Sequence, residues 1–494
     1  MKKDKKGDSS EPNSSRRNFL RTLGTATAGL LVAPYLKPSG VFAYNHKRTS
    51  SYPATVAITN TTGTPADTYV YDDSNGGVKQ KVQYLLEQLD GAADLFSSGK
   101  KVAIKINLTG GSGNADNNGN VDGVFITEIV WTHPAVIRAV GEFVLDHGVN
   151  PADLYIVDSF WDAATVTTAP FGSNDKFGYL AVQKALGCKV VDLNGGPYVD
   201  MSVGSNGFNF TSFKMNQILS EVDVYVSIPK LKQHSAAGLT CSLKNQVGTV
   251  PKSLYMITND NGRRGALHHK TSTATEGDYL PESICDLNAA RHVHLAVVDA
   301  IKNAKGGEGN WLSTFAPYEN HVLFAGLDPV ATDSIGAYLM GLDCEAKTLP
   351  LPLPLTDDKT TATECDNYLD LLNTKGVGTN QLQEINIIGD GANLITSVRP
   401  NVAITQPADF KLCANFPNPF NPSTTIDFYL PRNEHVTLRV FDITGREIET
   451  LVEGEVPAGE HRLHWSAAGL ASGIYLCRMQ TRSFASTIKM LYQK

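Results

Sequence analysis

Between Tyr44 and about Pro400, short and nearly continuous apolar runs alternate with amphipathic stretches. The runs Ala54–Thr59, Val102–Ile106, Leu154–Val157, Val190–Leu193, Val222–Ile228, Leu295–Val298 and Val322–Phe324 are rich in β-branched residues. That is the texture of strands buried on both faces. Helices are predicted between several of them. One starts at Thr132-His133-Pro134, carries Val136, Ala139, Val140 and Phe143 at 3–4 spacing, and stops near Gly148. Thr132 is the expected cap, with His133 at the entry for local reasons. A second takes Asp328 as cap and Pro329 as first-turn residue, and runs through Ala331, Ile335 and Leu339 to Gly341. The expected fold is α/β, a parallel or mixed sheet flanked by helices in the doubly wound manner.

Beyond about residue 400 the pattern becomes strand only. Period-two runs at Thr425–Leu430, Val436–Asp442, Arg462–Trp465, Ile474–Met479 and Ser486–Leu491, with Thr444-Gly445 at a tight turn, predict a small all-β immunoglobulin-like sandwich. The predicted organisation is an export signal over 1–43, the α/β domain over 44–400, a linker over 401–414 and the sandwich over 415–494.

The chain has 494 residues, 41% hydrophobic and 19% charged, with a net charge of −7. Residues 1–43 hold eight Lys/Arg against three Asp/Glu, so the remainder is strongly acidic. That argues against general nucleic-acid binding. No apolar stretch outside the N-terminus is membrane-directed, so no transmembrane helix is expected in the mature chain. Seven cysteines never approach CxxC spacing, which removes zinc-ribbon and iron–sulfur readings. No dinucleotide fingerprint, Walker loop, nucleophile elbow or HExxH stands in a supporting context.

Ser15-Arg16-Arg17-Asn18-Phe19-Leu20, the weakly apolar run Leu23–Val32 and Val41-Phe42-Ala43 resemble a twin-arginine (Tat) export signal, with Tyr44 as mature start. The Tat translocase is then a partner, and the route leaves room for a metal ion or cofactor loaded before export. Pro417-Asn418-Pro419-Phe420-Asn421-Pro422, Asp442-Ile443-Thr444-Gly445-Arg446, Ala458-Gly459-Glu460-His461 and Ser472-Gly473-Ile474-Tyr475 resemble the type A sorting domain of the type IX secretion system. The resemblance implies passage through the periplasm, secretion or outer-membrane surface attachment, and the type IX machinery as partner. A carbohydrate-binding or adhesion sandwich is the alternative for this segment.

Parallel strands share a direction, so residues just past their carboxyl ends share a rim where ligands gather. Four strand ends deliver chemistry there: Lys105 and Asn107; Asp158; Lys230, Lys232 and His234; and Asp299, with Lys244-Asn245 ten residues past His234. Solvated rim charges are the bland explanation for any one of these. Their recurrence predicts one mixed-charge cleft. Lys105, Asn107, Lys230, Lys232, Lys244 and Asn245 would bind a small anionic substrate, and His234, Asp299 and Asp158 would move protons. At these residues the chain resembles the bacterial and archaeal domain of unknown function 362 family: Lys105-Ile106-Asn107, Thr132-His133-Pro134, Asp223–His234, Lys244-Asn245, Asp299 and Asp328-Pro329-Val330-Ala331-Thr332-Asp333. The family has no settled reaction. Some of its members carry a ferredoxin module, which the cysteine spacing excludes here.

Asp333, a turn and a half into its helix, is a candidate metal ligand. Asp116 and Asp122 sit in an Asn114–Asp122 loop with partial calcium-loop spacing, but Phe125 occupies the place of the bidentate Glu, and a flexible Asn/Gly turn accounts for the loop better. His268-His269 could cover an anion or form an exposed polar lid. Cys241 reads as a small buried thiol ahead of a nucleophile. Three functions remain open: an exported enzyme for a small anion, a surface binding protein without turnover, and a metal-carrying or redox-accessory protein.

Overall fold

The computed structural model describes residues 54–396 and 410–493, apart from 73–75, 112–118, 122–123, 163, 165–170, 173–174, 206, 258–263, 269–278, 357–360, 414, 416–417, 419 and 457–458. The export-signal reading, most of the expected linker, His269 and the candidate ligands Asp116 and Asp122 lie outside the described residues.

The apolar runs form one sheet. Its strands are β1 (Ala54–Asn60), β2 (Val102–Lys105), β3 (Leu154–Asp158), β4 (Lys189–Asp192), β5 (Val224–Ser227), β6 (Lys230–His234), β7 (Gly238–Thr240), β8 (Leu295–Lys305), β9 (Ala316–Gly326) and β10 (Ile385–Ile388). The main order is β10-β1-β9-β8-β5-β2-β3-β4, with β6 paired to β7 and β8. Neighbours along this path pair in parallel except at β9, which is antiparallel to both β1 and β8. The sheet is therefore mixed: among the described strands β9 runs against β1 and β8, and β7 runs against β6.

Side chains alternate across the strands, and the two sets feed separate cores. Ala103, Ala296 and Val298 join one core with Ile284 and Leu287 of one helix (Leu280–Ala290) and Val330 and Ile335 of another (Pro329–Leu339). Val102, Ile104, Leu295 and Val297 join the other, with Val78, Val82 and Leu85 of the helix Val78–Gln88 and Val136, Val140 and Phe143 of the helix Pro134–Asp146. Helices thus flank the sheet on both faces.

Three local outcomes differ from expectation, and each shapes the site. Thr132 does not cap its helix. His133 does, through Nδ1 accepting the Ala135 N–H at 3.1 Å. Thr132 instead accepts the Asn107 N–H (3.0 Å) and donates to the Ile228 carbonyl (2.6 Å), tying two strand exits together. Residues 230–234 are strand, not loop, so Lys230, Lys232 and His234 alternate onto one side of β6. Strand β8 does not end at Asp299. It runs on to Lys305, and Asp299 pairs in register with Lys230.

The C-terminal segment forms β11 (Lys411–Leu412), β12 (Ser423–Leu430), β13 (Glu434–Asp442), β14 (Glu447–Val456), β15 (Gly459–Ser466), β16 (Gly473–Gln480) and β17 (Ala485–Tyr492). They make two sheets, ordered β11-β12-β15 and β14-β13-β16-β17. Ile426, Phe428, Trp465, Val440, Cys477 and Met479 bring both into one core. The turn at Gly445 takes φ +85°, a conformation glycine adopts without steric cost. Asp442 Oδ1 fixes it by accepting the Thr444 N–H at 2.9 Å.

Candidate functional site

The end of β2 is anchored by a buried polar cluster. Lys105 Nζ lies 2.9 Å from Asp158 Oδ1 and donates to the Ile106 carbonyl (2.7 Å) and Asn245 Oδ1 (3.1 Å). An ammonium has three donors, and all three are committed. Asp158 Oδ2 accepts the Leu108 N–H at 3.2 Å. Asn107 Nδ2 donates to the same Asn245 oxygen at 3.2 Å, while its Oδ1 accepts from Lys232 Nζ (2.8 Å) and the Thr109 hydroxyl (2.8 Å). Lys232 completes its donors on Thr109 Oγ1 (3.0 Å) and the Val130 carbonyl (2.6 Å). No carboxylate among the described residues is bonded to it, so burial, reinforced by nearby Lys244 and only partly opposed by Glu308, pulls its pKa well below the ordinary lysine value. Gly248 packs directly over this cluster. A Cβ there would sit 2.6 Å from both Asp158 Oδ1 and Lys105 Nζ, so the close approach requires glycine.

A second cluster surrounds Asp299. Lys230 Nζ lies 2.5 Å from Asp299 Oδ2 and donates to the Tyr69 hydroxyl at 2.7 Å, with both charged side chains fully buried. The Tyr69 hydroxyl donates to Asp299 Oδ1 (2.8 Å), and the His133 N–H reaches Oδ2 (2.9 Å). Burial and the Asp299 charge push the Tyr69 phenol well above its usual range. The His133 ring stacks on the Tyr69 ring at 3.8 Å, and burial, together with Lys230 and Lys302, drives its pKa well down and keeps it neutral.

The third group is less committed. Lys244 has no hydrogen-bond partner among the described residues. Burial lowers its pKa to about 8; Glu308 opposes the shift, and Arg264 and Lys105 add to it. Arg264 donates to the carbonyls of Val250 (2.9 Å) and Ser159 (3.2 Å), and burial lowers its pKa to about 10. His234 Nδ1 accepts the Ala236 N–H at 3.0 Å, and its Nε2 lies 4.0 Å from Glu308 Oε1. Glu308 also accepts from the Ser235 N–H (2.9 Å) and hydroxyl (3.0 Å). Lys105, Lys230, Lys232, Lys244 and Arg264 therefore gather here near Asp158, Asp299 and Glu308, with Asp192 also acting on Arg264 and Glu128 on Lys230.

The region that holds these clusters, Tyr69 apart, matches a known sequence family. Residues 102–338 match the family described as domain of unknown function (DUF362). The chain carries a DUF362 domain. Residues 414–493 match the secretion system C-terminal sorting domain. A thylakoid-associated protein of Synechocystis sp. is 26% identical over 268 residues, 54% of this chain and 71% of the relative. Two solved structures, an engineered protein and the endo-β-1,4-mannanase from Thermotoga petrophila, align at 12% and 11% identity with TM-scores of 0.16 and 0.15. They cover 85% and 86% of this chain and 98% and 96% of their own, and at those scores neither informs fold or chemistry. The sorting domain makes this a secreted or surface protein. No helix among the described residues is long and apolar enough to cross a membrane.

Within the DUF362 domain, Lys105, Asn107, Asp158, Lys232 and Asn245 are joined by direct bonds, and Lys230 and Asp299 form their own pair. The expected open rim is instead largely buried. Asp333 faces the loop leading to Lys244: its Oδ1 accepts from the Ser242 N–H (2.9 Å) and hydroxyl (2.5 Å), and its Oδ2 from the Leu243 N–H (2.8 Å). Burial raises its pKa to about 6. With Asp158, Asp299 and Asp333 engaged by protein donors, no three His, Cys, Asp or Glu among the described residues gather as a metal-ligand set. Cys241 is buried and its thiol pKa is raised well above the usual value, as a packed thiol requires. Tyr69 and Glu308 were not anticipated. Tyr69 belongs to no motif, and Glu308 is marked only by its setting, Gly306-Gly307-Glu308-Gly309.

Proposed function

We propose that the DUF362 domain is an exported enzyme for a small anionic substrate, such as a carboxylate or phosphate ester, with Lys244 as direct charge partner. The observation that carries this is Lys244 itself: a half-buried ammonium with no hydrogen-bond partner among the described residues, set beside the charges of Arg264 and Lys105. A partly desolvated charge beside other cations is costly, and an incoming anion would relieve that cost. Lys105 and Lys232, their donors committed, contribute charge at longer range and hold Asn107 and Asn245 in place. His234, with its ring proton directed to Nε2 by the Ala236 N–H, and Glu308 beside it form the proton-handling pair. A surface protein that binds the same anion without turnover is the second reading. Ligand recovered unchanged after prolonged incubation favours it.

Calorimetric titration with inorganic phosphate and with succinate tests the site. Lys244→Ala is expected to weaken binding by about 1.5–3 kcal/mol, the value of a charge-assisted hydrogen bond. The pH dependence follows from the Lys244 pKa of about 8. The protonated lysine binds the anion, so affinity for succinate, whose carboxyls stay ionised at and above neutral pH, is flat from about pH 7 to 8 and falls about tenfold per unit above it. Affinity that is indifferent to both Lys244→Ala and pH removes the proposal.

We also propose that Arg16-Arg17 direct export through the Tat translocase before the sorting domain acts. Replacing both by Lys, which keeps the charge but loses the planar guanidinium, is expected to retain the protein in the cytoplasm. Cell fractionation reads the outcome, and normal export of the variant removes the assignment.

A further inference from the structure

A cavity of about 400 Å³ opens beside the second cluster, its lining including Glu128, His133, Lys176, Phe177 and Tyr179. Its size suits a small organic molecule. The aromatic wall is held in place from behind. Trp131 is fully buried and meets Phe177 edge-on at 5.7 Å and Tyr179 at 6.0 Å. The Tyr179 hydroxyl is committed to the Thr132 carbonyl at 2.8 Å. The wall therefore offers ring faces and edges, not hydroxyls.

Two polar groups remain to orient a guest. His133 is stacked on Tyr69, and its Nδ1 accepts the Ala135 N–H, so the single proton of the neutral ring sits on Nε2 as a donor. Glu128 gives Oε2 to Lys302 at 2.7 Å, which neutralises its charge and leaves Oε1 as an acceptor. The cavity therefore pairs an aromatic wall with one neutral donor and one charge-balanced acceptor. Lys176 is exposed, so water screens its charge.

We propose that this cavity is a second binding site, for a planar aromatic ring bearing a carboxamide or lactam edge. The ring packs against Phe177 and Tyr179, the carbonyl accepts from His133 Nε2, and the amide N–H donates to Glu128. Unlike the Lys244 site, it selects against a bare carboxylate, because Glu128 would then face a second acceptor. The two proposals therefore stand or fall separately.

The probe is benzamide, titrated into the full chain by ligand-observed NMR, with benzoate and cyclohexanecarboxamide as comparators. Benzamide is expected to bind in the millimolar range appropriate to so small a ligand, ahead of both comparators. His133→Asn retains a capping acceptor for the helix but removes the ring donor, and it is expected to weaken benzamide binding about tenfold. Phe177→Ala is expected to do the same through the lost wall, and circular dichroism confirms that each variant is folded; should Phe177→Ala not fold, Phe177→Leu replaces it. Absence of benzamide binding at about 10 mM, a preference for benzoate, or unchanged affinity in either folded variant overturns the proposal.

Discussion

Asp299→Ala is expected to lower the unfolding free energy by about 3–5 kcal/mol, the cost of leaving one member of a buried ion pair uncompensated. Lys230 and Asp299 are both fully buried, with 2.5 Å between nitrogen and oxygen. The same carboxylate accepts from the Tyr69 hydroxyl and the His133 N–H, so the substitution strands three donors at once. Burial already pulls the Lys230 pKa down against the pull of Asp299. Without the carboxylate, Lys230 should lose its proton or draw water into the core. The double variant Lys230→Met, Asp299→Leu removes both charges and is expected to recover much of the loss, though not the part due to Tyr69 and His133. Guanidinium unfolding of the three proteins measures this. A cost below about 1 kcal/mol for Asp299→Ala would mean that the pair behaves as a solvated surface bridge.

Removing residues 410–494 is expected to abolish secretion while leaving the DUF362 domain folded. The two cores around the central sheet draw only on residues before 400. The tail packs Leu412, Phe420, Ile426, Leu438, Trp465 and Met490 into a core of its own. A core that contributes nothing to its neighbour can be removed without creating a cavity there, so the shortened chain should keep its melting temperature to within a few degrees, about what 1 kcal/mol shifts in a domain this size. Since residues 414–493 match the sorting domain, the same deletion removes the feature that directs the chain outward. Fractionation and thermal unfolding together decide the matter. Secretion of the shortened chain, or its failure to fold, would refute the separation of roles.

The central strands were legible because burial on both faces leaves an unmistakable mark: Val102–Ile104, Leu154–Val157 and Val224–Val226 are uninterrupted apolar runs with every residue buried. The edge strand β14 was not expected. Its sequence Glu-Ile-Glu-Thr-Leu-Val-Glu-Gly-Glu-Val leaves every residue at least partly exposed, so no clean alternation marks it. The hairpin strand Thr348–Thr356 was hidden by alternating prolines, which argue against a central strand but are tolerated in a two-stranded sheet. Both of these strands lie outside the central sheet, where side-chain burial does not dictate the sequence; β6 was missed for another reason, because its alternating lysines read as a polar strand exit.

For the site, chain direction was enough to bring Lys105, Asn107, Lys232 and Asn245 together, because parallel strands deliver their carboxyl ends to one place. The sequence by itself determined which residue types arrive there, and also the sorting tail, whose motifs are local and contiguous. Only the tertiary structure decided what those residues face. It closed Lys105 and Lys232 onto oxygen acceptors, paired Lys230 with Asp299 through a strand that runs past its expected end, and brought in Tyr69 and Glu308 from segments without a motif. It left Lys244 without a hydrogen-bond partner among the described residues, with Glu308 only partly offsetting its charge. The physical reason is that an ammonium's chemistry depends on desolvation and on partners more than a hundred residues away, and neither is a property of the local chain.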